Sequence, residues 1–484
     1  MTAPPSSHPP AWARLLDFLC LLIVIVATVI AASGGFRVRI GGLRIALTSP
    51  VRLLIWAAVI GIVRHLAAPS APIYRDLPAR LRTAWRTPAA RAASAAFAGT
   101  RFAILFVGLL AVFMFGYRDG RPPWRVDTNE VTNLQARWDT GWYLSVAIDG
   151  YYYDGSQPPE RQQNIVFFPA FPMMMRLLGR LLGGASTAYL LGGTVVSLGA
   201  FFWALVYLFR LARDLLGDDE VAASAVWLLA TYPFAIFYSA VYSESVYLLA
   251  IVGACYHFRR GQYLAAALWG LLAGLDRAPG CFLSVALLTM AFAPRLPTWL
   301  AGGPPSTREE SARTAAARAR LPQAILTAAM PGLGMLLFSA YAWLSTGNPL
   351  VWAAGHAAWG REYSGLGVFS ERADWLWRGG LYVYAASVPA DLLNGLGSLF
   401  VLASVWPVAR RLGLAYGVLV LINILPPIMA GGFLSAGRFS SVLFPSFVWL
   451  AGAVPSRHRL VWMTSFVAVQ ALCAALFYTW RPLI

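Results

Sequence analysis

The chain has 484 residues, 58% of them hydrophobic and 12% charged, with a formal net charge of +17. So few charged residues cannot cover a soluble protein of this length, which therefore reflects membrane spans rather than several soluble domains. The charge invites a nucleic-acid reading that its distribution excludes: the chain has no Lys, and its arginines collect in short loops between apolar runs, the positive-inside pattern.

Apolar runs long enough to cross a hydrocarbon core of about 30 Å recur along the chain. They predict spans near 15–33, 50–67, 99–116, 186–208, 221–239, 244–258, 262–275, 280–293, 323–345, 385–407, 412–430, 439–453 and 460–478. The expected fold is an all-α polytopic membrane helix bundle of about 13 spans. Leu15 to Ser33 follows only Arg14 and reads as a retained span, not a cleaved signal. Phe167 to Leu182 is apolar but holds two prolines and two arginines, which predicts a re-entrant or interfacial helix. Residues 1–97 are expected to be an extension with two spans and a basic loop, ahead of a membrane domain over 98–484.

With a cytoplasmic N-terminus, one set of loops holds Arg75, Arg80, Arg82, Arg86, Arg91, Arg210, Arg213, Arg259, Arg260, Arg308, Arg313, Arg318, Arg320, Arg410, Arg411, Arg457 and Arg459. Residues 295–321 read as a basic cytoplasmic linker with a short helix. The opposite loops, chiefly 118–165 and 346–384, are long and aromatic and hold Asp119, Asp127, Glu130, Asp139, Asp149, Asp154, Glu160, Glu362, Glu371 and Asp374. Long loops without a structural reason tend to be functional, so the working site is expected on the outer face. Cys20, Cys255, Cys281 and Cys473 all lie in apolar runs, with no CxxC pair, and no His cluster has metal-ligand spacing. The acidic triplet Asp218-Asp219-Glu220 suits a helix N-terminus. The absence of a DxD motif and of a Gly-rich fingerprint argues against a nucleotide-sugar enzyme or an ATP-driven pump.

Five outer segments carry candidate chemistry. A helix from about 136 to 148 places Trp138, Trp142 and Tyr143 near one side, with Asp139 at its start. Asp139 there is either a helix cap or a catalytic carboxylate. Phe167-Phe168-Pro169-Ala170-Phe171-Pro172 either walls a lipid-facing groove or is a turn into an interfacial helix. Glu244, in Tyr242-Ser243-Glu244-Ser245, falls at the outer boundary, where a carboxylate is costly unless partnered, functional or capping. In Asp276-Arg277-Ala278-Pro279-Gly280, Arg277 either faces a phosphate or pairs with Asp276 in a turn. Arg438, at the outer end of a late span, binds an anion or snorkels. One topology delivers these scattered acids and arginines to one side. That set suits chemistry on a phosphate carried by a lipid: a carboxylate takes a proton from an attacking hydroxyl and arginines steady the departing phosphate.

RWDTGWYLSVAIDGY (137–151), NIVFFPAFPMMMRLL (164–178), YPFAIFYSAVYSESVYLL (232–249), DRAPG (276–280), GNPLVWAAGHAAWGRE (347–362) and SAGRFSSVLFPSF (435–447) follow in that order. Over roughly residues 98 to 478 the chain resembles bacterial relatives of the PIG-V mannosyltransferases, of the GT-C glycosyltransferase class. The resemblance implies inverting transfer of a sugar, usually mannose, from a polyprenyl-phosphate donor on the exoplasmic side of the bacterial cytoplasmic membrane. It implies Asp139 as general base, Glu244 as the acid of a Tyr–Thr/Ser–Glu motif, and Arg277 as the arginine of an Arg-Pro-Thr-Gly-like turn. That turn departs from the pattern here, reading Arg-Ala-Pro-Gly.

The resulting reading assigns Asp139 and Glu244 to catalysis and Arg277 and Arg438 to the donor phosphate. Trp138, Trp142, Phe167, Phe168, Phe171, Asp276 and His356 are assigned to the substrate groove. Expected partners are the lipid-linked sugar donor and membrane lipids, with no nucleic acid. No metal ligand is assigned, and divalent-metal assistance, the acceptor and the oligomeric state stay open. The alternatives are a flippase of a lipid-linked sugar, which the lack of an internal repeat disfavours, and a non-catalytic scaffold of the same fold.

Overall fold

The computed structural model describes residues 10–33, 36–40, 43–47, 49–68, 83, 85–120, 122–158, 160–293 and 320–483. All but the last two residues of the expected linker 295–321, and the basic positions Arg75, Arg80, Arg82, Arg308, Arg313 and Arg318, lie outside these residues.

The helices in chain order are α1 Ala11–Ser33, α2 Pro50–Ala67, α3 Pro88–Phe115, α4 Thr140–Ile148, α5 Ala170–Leu181 and α6 Ser186–Leu216. They continue as α7 Asp219–Thr231, α8 Glu244–Arg259, α9 Tyr263–Asp276, α10 Leu283–Phe292 and α11 Leu321–Thr346. The C-terminal set is α12 Gly367–Ser387, α13 Pro389–Leu412, α14 Leu414–Met429, α15 Ala436–Ser441, α16 Phe444–Ala453 and α17 Ser456–Tyr478. One antiparallel hairpin, β1 Phe36–Ile40 with β2 Leu43–Leu47, joins α1 to α2, with Phe36 opposite Leu47. Otherwise the described fold is all-α, and its apolar helices make it an integral membrane protein.

Every expected span coincides with a helix, and these helices differ in length. Among the described residues six helices are long and apolar enough, by length and composition, to cross a membrane: α2, α3, α6, α11, α13 and α17. Several others are too short; α8, with 16 residues, rises only about 24 Å. The backbone breaks explain the shortening. The run expected over 221–239 stops at Thr231, because Pro233 opens a 3₁₀ stretch over Pro233–Tyr238. A second 3₁₀ turn, Ala278–Phe282, separates α9 from α10. Irregular backbone is tolerated in a bilayer only where protein or a cavity surrounds it. The first break meets that condition, since Phe234 through Ser245 are all buried; the second is partly buried, with Gly280 its buried residue.

The breaks collect at one end of the bundle. At the other end, Arg260 closing α8 holds Asp214 of α6 at 3.0 Å, and Arg459 of α17 holds Glu220 of α7 at 3.1 Å. The N-terminal pair packs together through Arg64 and Asp17, 2.6 Å apart and both buried. Helix α3 begins at Pro88 and runs unbroken through residue 97. Glycines permit the closest helix contact: a β-carbon on Gly274 of α9 would lie 1.9 Å from the Pro331 carbonyl of α11.

Candidate active site

The site is assembled from helix ends. Trp138 sits in the left-handed region at φ +49°, which ends the helix expected from about 136 and starts α4 at Thr140. A bulky residue there costs about 1–3 kcal/mol and needs external support. The fully buried Arg137 gives that support, donating to the carbonyls of Tyr478 (2.7 Å) and Asn133 (2.7 Å). The Trp138 indole donates to the Phe477 carbonyl and packs on Trp480 at 5.0 Å. The turn thereby aims Asp139, whose side chain makes no capping hydrogen bond to α4. The capping reading of Asp139 is excluded by that geometry.

Three contacts dock the start of α4 onto the segment before α8. The Asp139 backbone N–H donates to the Tyr242 hydroxyl at 3.0 Å, the Thr140 hydroxyl to the Val241 carbonyl at 3.5 Å, and the hydroxyls of Tyr143 and Ser243 lie 3.1 Å apart. Arg101 of α3, fully buried, braces the same segment by donating to the carbonyls of Ala235 (2.6 Å) and Ala230 (2.9 Å). Glu244, first residue of α8, is 0% exposed. Its carboxylate is thus enclosed by protein, and partnered, as a carboxylate near a membrane boundary needs to be. Neither Ser243 nor Glu244 caps the helix through its side chain, although the helix N-terminus favours the carboxylate.

Arginines from two other elements converge here. Arg277 hydrogen-bonds to Glu244 Oε1, and Arg438 Nε lies 3.3 Å from that same oxygen. Arg438 also donates to Asp139 Oδ2 at 2.7 Å. Asp139, Arg438, Glu244 and Arg277 thus form one chain of ion pairs. Asp139 Oδ1 makes no hydrogen bond among the described residues, and its side chain is 20% exposed. Helix α15 carries Arg438 into place because Gly437 lies against Phe234, where a β-carbon would come within 2.2 Å of the ring. The hydroxyls of Tyr232 and Tyr238 bond Ser440 Oγ (2.8 Å) and the Ser441 carbonyl (2.7 Å). Asp276 is buried beside this group but enters no ion pair among the described residues, so the reading of Asp276 and Arg277 as a turn pair fails.

The second outer loop lies over the first. Trp359 packs on Trp142 (5.7 Å) and Phe167 (5.8 Å). The same loop brings in His356 and Arg361, which the sequence reading had left without a phosphate role. Burial holds the His356 imidazole down at about 4, helped by the positive charges of Arg361, Arg438 and Arg277. Burial likewise lowers Arg361, to about 10, with Arg438 and Arg277 repelling its charge. The aromatic candidates divide. Trp142 and Phe167 border this loop, Phe168 packs against Phe338 (4.7 Å) and Trp352 (5.1 Å), and Phe171 is fully buried beneath Tyr143 (5.0 Å). An apolar cleft of about 380 Å³ opens alongside, lined by Tyr151, Pro169, Met173, Leu275, Leu337 and Tyr341 among others. Among the described residues no group of three His, Cys, Asp or Glu side chains is arranged to hold a metal ion.

The segment that carries Asp139, Glu244 and Arg277 is also the one that resembles known proteins. Residues 124–296 match the mannosyltransferase (PIG-V) family. The match bears out the resemblance carried by the Trp138-Asp139 and Tyr242-Ser243-Glu244 segments. No curated protein matches the chain. Among solved structures, the chain is similar to the oligosaccharyltransferase AglB of Archaeoglobus fulgidus. In complex with an inhibitory peptide and a dolichol-phosphate, that protein is 13% identical with a TM-score of 0.38, over 78% of this chain and 55% of the other. The same enzyme with Zn and sulfate gives 13% identity and a TM-score of 0.39, over 78% and 53%. The matched part of this chain spans only about half the length of those proteins.

Proposed function

We propose that the chain is a GT-C-type glycosyltransferase that moves a hexose, mannose in the first instance, from a polyprenyl-phosphate donor to a hydroxyl acceptor. The observation that carries this is the state of Asp139. Its Oδ2 is fixed by Arg438, its Oδ1 is open, and arginines stand within the same cluster.

The chemistry follows from those positions. Asp139 Oδ1 accepts the proton of the acceptor hydroxyl while that oxygen attacks the anomeric carbon. The carbon–oxygen bond to phosphate breaks on the opposite face, so configuration inverts and the lipid phosphate leaves with the bonding pair. Arg438 keeps the carboxylate oriented, and the neighbouring guanidinium groups stabilise the leaving anion. The prenyl chain lies in the apolar cleft beside Leu275, next in sequence to Asp276 and Arg277. The basic helix ends around Arg260 and Arg459, at the opposite end from the site, support under the positive-inside rule a reading with the site on the exoplasmic side of a bacterial cytoplasmic membrane.

Asp139→Asn retains the shape and a partner for Arg438 but not the base. Purified in vesicles with polyprenyl-phosphate mannose and a hydroxyl acceptor, the variant should stay folded and lose about 10²- to 10⁴-fold in kcat. Near-normal turnover would refute the assignment of Asp139.

A further inference from the structure

Resting on the donor reading above, we infer that Arg361, rather than Arg277 or Arg438, is the residue that takes the donor's phosphate. Three guanidinium carbons surround the ring of Phe439, from Arg361 at 5.0 Å, Arg277 at 5.3 Å and Arg438 at 5.5 Å. Gathering like charges in a half-buried space is unfavourable unless anions compensate them. Two of the three are compensated within the protein. Arg277 pairs with Glu244, and Arg438 pairs with both Asp139 and Glu244.

Arg361 has no carboxylate partner among the described residues. Its one side-chain hydrogen bond goes to the Leu434 carbonyl at 3.3 Å, which leaves most of its donors for a ligand. The backbone makes room for it: a β-carbon on Gly431 would lie 3.1 Å from Arg361 Nη1. The loop that carries it is pinned across the aromatic group of Trp142 and Phe167, on the side of Asp139. The ligand that fits is an anion with planar oxygen pairs for a guanidinium fork, namely the phosphodiester of a lipid-linked sugar. Arg277 and Arg438 are then positioning residues that hold the two carboxylates.

The test compares the wild type with Arg361→Gln, Arg361→Lys and Gly431→Ala in vesicles, using polyprenyl-phosphate mannose as donor. Arg361→Gln should raise the apparent donor KM on the order of 10- to 100-fold, the loss expected for one charged hydrogen-bonded contact, and leave the acceptor KM unchanged. Arg361→Lys should recover part of the loss, and Gly431→Ala should weaken donor binding to a lesser degree. An unchanged donor KM in Arg361→Gln overturns the assignment. Binding of polyprenyl phosphate to the same purified proteins, followed by tryptophan fluorescence, separates this inference from the enzyme reading. Arg361-dependent binding without sugar transfer by the wild type would uphold the phosphate seat and sink the transferase. Equal binding by wild type and Arg361→Gln would sink the seat.

Discussion

Replacing Glu244 with Gln tests whether the ion-pair chain holds the site together. Glu244 is fully buried, and its Oε1 takes Arg277 and lies 3.3 Å from Arg438. The amide removes the charge that both guanidinium groups share and leaves Arg277, only 11% exposed at its side chain, without a counterion. Stranding a buried ionic partner in this way costs about 3–5 kcal/mol. Arg277→Gln alone strands Glu244 less completely, because Arg438 remains beside it. The double variant Glu244→Gln, Arg277→Gln leaves Arg438 with Asp139 at 2.7 Å and removes the stranded charge. The two substitutions should therefore be strongly non-additive, with a coupling of about 1–3 kcal/mol in thermal or denaturant unfolding in detergent. Additive losses, or a Glu244→Gln variant as stable as wild type, would refute the argument that Glu244 is the hub.

Two further outcomes follow from other parts of the site. Gly437→Ala should destabilise the protein by about 1–3 kcal/mol and cut transfer, since its β-carbon meets Phe234 and pushes Arg438 away from Asp139; activity equal to wild type would show that α15 moves freely. His356 stays neutral in the folded protein down to about 4, whereas in the unfolded chain it gains its proton near pH 6.5. The folded state binds fewer protons between those values, so its relative stability is intact above about pH 6.5 and is lost as pH falls towards 4. His356→Gln should flatten the fall in unfolding midpoint between pH 6.5 and 4.5, and identical pH slopes in the two proteins would contradict this placement.

Helix positions were legible because each apolar run is a local pattern, and every one of them became a helix. Helix ends were not, because hydropathy does not register a 3₁₀ break such as Pro233–Tyr238 inside a continuous apolar stretch. Asp139, Glu244, Arg277 and Arg438 stood out as charges at the ends of apolar runs, and the structure brings all four together. Arg361 did not stand out, because its loop contains other charges and its significance depends on having no carboxylate partner among the described residues. Arg101 and Arg137 carried no local signal of their role. Their role depends on carbonyls about 130 and 340 residues away in sequence, a separation that no local spacing rule reaches. Phe168 and Phe171 belonged to the right segment, but alternation alone could not tell a groove wall from the packing under it.

The two ends of α8 differ in their sensitivity to ionic strength. At the Arg260 end the ion pairs are wet: Arg260 and Asp214 are 44% and 25% exposed, and Arg213 and Asp219 are each more than half exposed. Dissolved salt screens such pairs, and each contributes little to begin with. At the Glu244 end the pairs are drier, with Glu244 1% and Arg277 and Arg438 each 11% exposed at the side chain, so dissolved salt screens them less. Concentrated electrolyte therefore loosens the helix ends remote from the chemistry while the carboxylate–guanidinium chain keeps its spacing, so one rigid rod joins a soft anchorage to a hard reaction centre.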